Sequence, residues 1–271
     1  MSSDRDDDRG DEVVTERRGA VLVVRLNRPE ARNALNGAVM RGLGAAVAEA
    51  ESDPGIRAMV LTGTGDKAFC AGLDLREFAA GGGPGAPGSA GSTGDEALAT
   101  FARLLGGEVS VPVVGAANAT AVAGGFELLL GCDLVVASAA ARFGLPEVKR
   151  GLFAGGNGTL LATRIPLAIA LEITLTGDLF DAERARALGL VNAVVPPERV
   201  LDRALDYADR IAANGPLGLA ATKELVRLAV TDARRAAERQ RELQPQVFGS
   251  EDAKEGALAF VERRAPRWRG R

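Results

Sequence analysis

The amino-acid sequence predicts an α/β protein whose C-terminal part is helical. Two runs, AVLVVRL and IRAMVLTG, are rich in β-branched and other apolar residues, as expected for strands of a sheet covered on both faces. The segment between them places Leu35, Val39, Leu43 and Val47 at helical spacing. Strand, helix and strand in this order indicate a right-handed crossover, and the pattern from about residue 165 onward is largely helical.

The central part of the chain continues this alternation. A third strand is predicted in VPVVGAANA, a helix in GGFELLLGCD and a further strand in LVVAS. Asp181 is placed to cap a helix in DAERARALGL, which precedes a short strand in VNAVV. Three more helices are predicted, in PERVLDRALDYADRIAAN, PLGLAATKELVRLAV and SEDAKEGALAFVERR.

Two polar segments stand outside the pattern of strands and helices. Residues 1–12, MSSDRDDDRGDE, are expected to be disordered because they have little apolar surface to offset the entropy of ordering. They also lack the apolar core of a signal peptide. The Gly/Pro/Ser-rich stretch from Gly81 to Gly94 is interpreted as a loop rather than an interdomain linker, since another apolar strand follows it. Such a loop beside a binding site would form a mobile wall.

Composition narrows the classes of function. The 271 residues are 46% hydrophobic and 25% charged, as in an ordinary soluble protein, and the net charge of −3 argues against binding nucleic acid. No apolar run approaches the roughly 20 residues of a membrane span. Both cysteines lie in apolar contexts without a secretory signal, which predicts reduced thiols and a cytoplasmic location.

The chain contains no histidine. A Ser-His-Asp triad, a Cys-His dyad and a His-ligated zinc site are therefore all excluded. Acid–base chemistry must come from Asp, Glu, Lys, Tyr, Cys or the backbone.

Two glutamates stand in apolar surroundings. Glu127 follows a Gly-Gly pair and precedes three leucines, while Glu147 lies between Pro146 and Val148. Burial would raise the pKa of such a carboxyl group and suit it to proton transfer. Simpler interpretations are a helix-dipole preference for Glu127 and an ion pair of Glu147 with Lys149 or Arg150. Paired carboxylates also occur in glycosidases, but one Trp and one Tyr offer few aromatic platforms for a sugar.

Backbone donors form a second candidate feature. The glycines of GGFE lie at a predicted helix N-terminus, where unsatisfied N–H groups can hold a developing anion. The turn in FCAGLDL could direct another N–H inward, although each glycine could equally serve only a tight turn. The segment GLFAGGNG lacks the Lys-Ser/Thr of a P-loop, and no G-x-G-x-x-G follows a strand, so nucleotide hydrolysis and dinucleotide binding are rejected.

Taken together, six segments in order resemble the crotonase superfamily of enoyl-CoA hydratases and isomerases, from about Val13 to Arg264. They are LNRPEARNAL, VLTGTGDKAFCAGLDL, PVVGAANATAVAGGFELLLGCDLVVAS, FGLPEVKRGL, LTGDLFDAERARALGLVNAVV and EDAKEGALAFVERR. The resemblance implies a ClpP/crotonase-like spiral of repeated ββα units over residues 13–195. It also implies a helical C-terminal trimerisation region over residues 196–271.

The resemblance further implies roles for four residues. The backbone N–H groups of Leu73 and Gly124 would form an oxyanion hole, Glu127 would activate water, and Glu147 would protonate C2 of the acyl chain. Since isomerases of the superfamily often lack one of these acids, their joint presence favours enoyl-CoA hydratase. An isomerase or a hydroxyacyl-CoA dehydratase of the same fold stays open, as does a non-catalytic acyl-CoA-binding protein.

By the same resemblance, the substrate is an acyl-CoA thioester of fatty-acid β-oxidation. Coenzyme A is then part of the substrate, with no metal or other cofactor expected, and the protein is expected to form a homotrimer or a dimer of trimers. Two departures from common hydratase sequences, Ala154 in place of Pro and Asn157 in place of Gly, lie in a loop that shapes the site. The residues expected to contact CoA or substrate are Arg32, Ala34, Ala71, Asp74, Leu75 and Arg76.

Overall fold

The computed structural model describes residues 11–81 and 96–271, and these form two β-sheets with helices around them. The strands are β1 Val13–Arg18, β2 Val21–Leu26, β3 Ala58–Gly63, β4 Ala68–Cys70, β5 Val113–Ala117, β6 Thr120–Val122, β7 Leu134–Ser138, β8 Arg142–Gly144, β9 Phe180–Asp181 and β10 Ala193–Val195. The α-helices are α1 Gly37–Ser52, α2 Leu75–Ala79, α3 Glu96–Gly106, α4 Gly124–Gly131, α5 Leu167–Thr176, α6 Ala182–Ala187, α7 Val200–Ala212, α8 Pro216–Thr231, α9 Ala233–Phe248 and α10 Glu251–Glu262.

The two sheets grow together along the chain. The larger sheet has the order β1-β2-β3-β5-β7-β10 and the smaller sheet the order β4-β6-β8-β9. Strands β3, β5 and β7 belong to the larger sheet, and each is followed directly by a strand of the smaller sheet, β4, β6 and β8. Neighbouring strands along this run pair in parallel. The chain therefore winds as a spiral in which each turn adds one strand to each sheet.

Strand β2 shows how the apolar pattern produces coverage of both faces. Leu22, Val24 and Leu26 pack into the main core together with residues of α1, α3 and α4. The alternate residues, Val21 and Val23, pack against α7 on the other face of the sheet. Because successive side chains of a strand point to opposite faces, a strand buried on both sides reads as one continuous apolar run. The prediction of a sheet covered on both faces is confirmed.

Several elements differ from the sequence prediction. The short strands β4, β6, β8 and β9 were not predicted, because two or three residues carry no measurable alternation of polarity. Helix α9 was also missed, since only Ala236 in it is buried and it has no apolar stripe. Ion pairs with α8 accompany it, as in the contact of Arg239 with Glu224.

The predicted disordered tail must be shortened at its C-terminal end. Glu12 belongs to the folded part, since its carbonyl accepts from the Asn27 N–H at 2.8 Å and its carboxylate contacts Arg28 at 3.1 Å. The partly buried guanidinium of Arg28 thus orders Glu12, which the local composition alone did not indicate to be folded. The rest of the tail, residues 1–10, and the Gly/Pro/Ser stretch over 82–94 lie outside the described residues. Within the described ranges, no helix has both the length and the apolar character to cross a membrane.

Candidate active site

The N-terminus of α4 begins at an unusual backbone conformation. Ala123 has φ 52° and ψ −132°, a region that favours glycine. Its N–H donates to the Gly144 carbonyl at 2.9 Å, and its own carbonyl accepts from the N–H of Glu127 at 2.9 Å. These bonds fix the turn from β6 into α4. As a result, the Gly124 N–H in the first helical turn has no acceptor among the residues that the structure describes.

Ala123→Gly is expected to stabilise the fold. Strain at such a position costs about 1–3 kcal/mol, whereas the added freedom of glycine in the unfolded chain costs about 0.5–1 kcal/mol. The net gain should be about 1 kcal/mol in the free energy of unfolding, measured by urea denaturation. Ala80→Gly is the control, because Ala80 is exposed at φ −81° and should only lose stability. A loss of stability in Ala123→Gly equal to that of the control would show that the turn is unstrained.

The loop after β4 places a second backbone donor beside the first. Leu35 donates to the Gly72 carbonyl at 2.8 Å, and its carbonyl accepts from Asp74 N–H at 2.9 Å. Both bonds bypass Leu73, whose N–H has no acceptor within residues 11–81 or 96–271. A Cβ added at Gly124 would lie 3.8 Å from the Leu73 nitrogen. The structure therefore brings the backbone nitrogens of Leu73 and Gly124 close together, and their role as an oxyanion hole stays a prediction.

Glycine is required at position 72 for this approach. Gly72 has φ 85°, and a Cβ there would lie 2.6 Å from the Cβ of Ala123 and 3.1 Å from the Gly124 nitrogen. Any side chain would therefore push the two loops apart and separate the donors.

Glu127 lies on α4 three residues after Gly124 and is buried, with 5% of its surface exposed. Its Oε1 accepts from the N–H groups of Gly156 at 2.8 Å and Gly158 at 2.9 Å. Burial raises the pKa of the Glu127 carboxyl group above its ordinary value, and the two N–H donors oppose this effect. The raised pKa expected from the sequence is confirmed. No described residue donates to Oε2, which leaves that oxygen available.

Glu147 lies on a short 3-10 helix, Pro146–Arg150, and its Oε2 is buried without a hydrogen-bond partner. Burial is the largest cause of the raised pKa of Glu147, and the charge of Glu127 raises it further. The possible ion pair with a neighbouring cation does not form. Lys149 binds Asp178 at 2.6 Å, and Arg150 donates to the Pro146 carbonyl at 3.2 Å. The negative charge of Glu127 is thus close enough to Glu147 to oppose its ionisation.

The six residues expected to contact CoA all lie beside the Leu73 donor. Ala71 N–H donates to the Arg32 carbonyl at 3.0 Å, which joins the two segments that carry these residues. The side chain of Leu75 is 43% exposed. The remaining three are Ala34, Asp74 and Arg76, which lie on the same two segments.

Asp74 has a structural role that the sequence did not indicate. Its Oδ1 caps α2 through the Arg76 N–H at 3.1 Å, and its Oδ2 accepts from Arg28 at 3.1 Å. Arg28 also donates to the Ala34 carbonyl at 2.8 Å. One guanidinium therefore fastens both segments on either side of the contact between Leu35 and Leu73. The contact of Asp74 with substrate stays a prediction.

Sequence reasoning missed the groups that hold Glu127. The signal was present in the glycines of GLFAGGNG, which were considered as a phosphate loop and as part of a loop that shapes the site, but not as donors to Glu127. It also missed the cations at the C-terminus of α4, where Arg164 donates to the Leu130 carbonyl at 2.6 Å and Arg227 to the Gly131 carbonyl at 2.9 Å. Arg227 and Lys223 of α8 both bind Asp133, at 2.9 and 2.8 Å. Cations at this end satisfy the free carbonyls and complement the helix dipole.

The spiral of two sheets, the close pair of N–H donors, the buried Glu127 and the half-buried Glu147 define a protein of the crotonase class. The chain belongs to the enoyl-CoA hydratase/isomerase family, whose model matches residues 16–271. A solved structure of an enoyl-CoA hydratase from Mycobacterium tuberculosis superposes with a TM-score of 0.85 at 44% identity, over 97% of this chain and all of the other. The fold class expected from the resemblance is thereby confirmed.

Curated relatives are similar over nearly their whole length. An enoyl-CoA hydratase of Mycobacterium tuberculosis is 39% identical over 264 residues, which cover 97% of this chain and 98% of the relative. A carnitinyl-CoA dehydratase of Proteus mirabilis is 38% identical over 261 residues, which cover 94% and 97%. The relatives thus include proteins named for both directions of one reaction type, addition and removal of water.

Proposed function

We propose that this protein is an enoyl-CoA hydratase, a hydro-lyase that adds water across the double bond of a trans-2-enoyl-CoA. One observation carries the proposal: the N–H donors of Leu73 and Gly124 lie close together without acceptors among the described residues, and the same helix α4 carries the buried carboxyl group of Glu127, held by two backbone N–H groups. Such donors suit a thioester carbonyl that becomes an enolate oxygen, because they are fixed in place and do not titrate. Relatives named hydratase support the same reaction.

The proposed reaction uses each group once. Glu127, as a carboxylate held at Oε1, accepts a proton from water through Oε2, while the water oxygen bonds to C3. The electron pair of the double bond shifts toward the thioester, whose oxygen accepts from the Leu73 and Gly124 N–H groups. Each donor is worth about 3–4 kcal/mol in the transition state. Glu147 then delivers its proton to C2 as the carbonyl re-forms. We propose that both acids act from one side of the acyl chain, which makes the addition syn.

The CoA moiety is proposed to lie along the two segments that carry Arg32, Ala34, Ala71, Asp74, Leu75 and Arg76. Backbone and apolar contacts would come from Ala34, Ala71 and Leu75. Arg32 and Arg76 would contact phosphate groups, which arginine binds well through its planar array of donors. Coenzyme A is part of the substrate, and the proposed steps use protein groups and water alone.

The test of this function is the loss of conjugated thioester absorbance when the protein meets crotonyl-CoA or a long-chain trans-2-enoyl-CoA. Loss of either signal, with a 3-hydroxyacyl-CoA as product, supports the hydratase. Movement of the double bond without a hydroxyl group in the product would indicate an isomerase. Tight binding of enoyl-CoA thioesters of all lengths without turnover would indicate a non-catalytic binding protein.

Dehydration of a hydroxyacyl-CoA is a second candidate for the physiological direction. The observation that favours it is the similarity to carnitinyl-CoA dehydratases. The same two acids would act in reverse, because microscopic reversibility requires the general base of hydration to become the general acid of dehydration. Incubation with carnitinyl-CoA, and measurement of the conjugated absorbance that appears, separates this substrate from a simple enoyl-CoA.

The pH dependence of hydration should reflect the raised pKa of Glu127. The reaction needs Glu127 ionised, so kcat/KM should fall at low pH as this group takes up a proton. Because burial raises its pKa above the ordinary 4.5, the midpoint of the acid limb should lie above 4.5. A pH–rate profile with crotonyl-CoA measures the midpoint. Full activity maintained to pH 4.5 would argue against Glu127 as the base.

The C-terminal helices are proposed to mediate assembly into a homotrimer or a dimer of trimers. Large apolar side chains at their ends are exposed in the single chain: Phe248, Phe260 and Val261, at 75, 85 and 77%. Exposed apolar groups of this size commonly mark protein interfaces. Sedimentation velocity of the full chain, compared with a Phe260→Glu variant, measures the assembly. We also propose a role in fatty-acid β-oxidation in the cytoplasm, where the two buried thiols, Cys70 and Cys132, would stay reduced.

A further inference from the structure

Asn157 lies between the two residues whose N–H groups hold Glu127. Its side-chain Nδ2 donates to the Leu105 carbonyl at 2.7 Å, in the last turn of α3. Within the described ranges, no other group donates to this carbonyl. The side chain therefore connects the loop that carries the donors to a helix that packs against α1 and α4.

The loop around Asn157 fits closely against the carboxylate. A Cβ at Gly156 would lie 2.9 Å from Glu127 Oε2, and a Cβ at Gly158 would lie 3.0 Å from Oε1. Neither glycine can carry a side chain without displacing Glu127, so neither can anchor the loop. Asn157 is the residue of this three-residue segment that has a side chain, and that side chain is directed to α3.

We propose that Asn157 is a positioning residue, whose amide anchors the loop 156–158 to α3 and so keeps the two N–H donors on Glu127. This inference rests on the proposed function, in which Glu127 accepts the proton from water. The Asn157 side chain donates to the Leu105 carbonyl and not to Glu127. It acts through the backbone of its two neighbours.

The charges around Glu127 fix the direction of the expected effect. Glu147, on the 3-10 helix Pro146–Arg150, is the charged group that interacts with Glu127, and Arg150 acts in turn on Glu147. Arg164 follows the loop but donates to the Leu130 carbonyl at the far end of α4. Arg103 of α3 binds Glu51 at 2.8 Å. The two N–H donors are thus the groups that favour the ionised form of Glu127, and a looser loop must raise its pKa.

The test compares Asn157→Ala and Asn157→Gly with the wild-type protein. A matched control is Asn214→Ala, since Asn214 Nδ2 donates to the Arg210 carbonyl at 3.0 Å near the end of α7, far along the chain from the site. Two quantities are measured. One is the acid limb of kcat/KM for hydration of crotonyl-CoA. The other is the protonation midpoint of Glu127 by infrared carboxyl absorption without substrate, taken as a difference from Glu127→Gln.

Both Asn157 variants should move the acid limb and the infrared midpoint upward by about one pH unit. Near neutral pH, kcat should fall while KM changes little, and the control should match the wild type. Glycine readily adopts the φ −97° and ψ 0° of Asn157, so Asn157→Gly preserves the test should the alanine variant not fold. An unchanged infrared midpoint overturns the inference. A shifted midpoint in a protein that hydrates no enoyl-CoA supports the positioning role and rejects the proposed function.

Discussion

Glu147→Gln is expected to lower kcat for hydration of crotonyl-CoA by about 10²–10⁴-fold, the usual contribution of a general acid. Glutamine keeps the shape of the side chain but cannot deliver a proton to C2. Binding of CoA thioesters should be retained, because the segments that carry Arg32 and Arg76 do not depend on this residue. Stopped-flow absorbance measures the rate, and calorimetry with a saturated acyl-CoA measures the affinity.

The matched control for this substitution is Glu183→Gln, an exposed glutamate of α6 with a single distant partner, Arg186, at 3.8 Å. It should leave kcat unchanged. Normal turnover in Glu147→Gln would remove this residue from the mechanism. A parallel loss of affinity for the saturated acyl-CoA would instead indicate a damaged site.

Glu147→Gln should also keep or raise the stability of the folded protein near neutral pH. The folded protein raises the pKa of Glu147, so it binds this proton more tightly than the unfolded chain does. Stability from this group is therefore present below the unfolded value of 4.5 and is lost as pH rises through the folded pKa. Because glutamine does not ionise, the variant does not suffer this loss of stability as the pH rises. The free energy of unfolding of Glu147→Gln should equal or exceed that of the wild type at pH 7.5, and the difference should shrink toward pH 4.5.

Glu127→Gln is expected to reduce kcat by a similar factor, about 10²–10⁴-fold, through loss of the base. The geometry makes this a clean substitution. The amide oxygen can take the place of Oε1 and accept from both Gly156 and Gly158, while the NH₂ group occupies the position of Oε2 and cannot accept a proton. The fold should be preserved, because the variant also removes a buried charge.

Glu51→Gln is the control for Glu127→Gln, because it also replaces a carboxylate that accepts a hydrogen bond from a backbone N–H. Glu51 Oε1 accepts from the Ser110 N–H at 2.7 Å and pairs with Arg103, away from the site. This variant should lose stability, since it breaks an ion pair, but its kcat should stay that of the wild type. Equal losses of kcat in Glu51→Gln and Glu127→Gln would assign both effects to the fold rather than to chemistry.

Properties of the candidate site that depend on contacts between distant segments of the chain could not be predicted from the sequence. Glu127 and Glu147 were identified separately because a charge in an apolar run is visible in the local sequence. Their shared site was inferred by resemblance, since the residues between them do not indicate that the chain returns to α4. The ion pair of Lys149 could not be predicted either, because its partner, Asp178, is close in space but distant in sequence.

The sequence alone determined the α/β class, the continuous apolar strands, most helices and the exclusion of histidine chemistry, because periodicity and composition are local properties of the chain. The tertiary structure decided how the acids are held: the two N–H groups on Glu127, the unpartnered oxygen of Glu147 and the closeness of Leu73 to Gly124. Backbone donors carry no side-chain signature. Whether a backbone N–H has a hydrogen-bond acceptor depends on which strand, helix or loop lies opposite it. That arrangement is set by the packing of the two sheets.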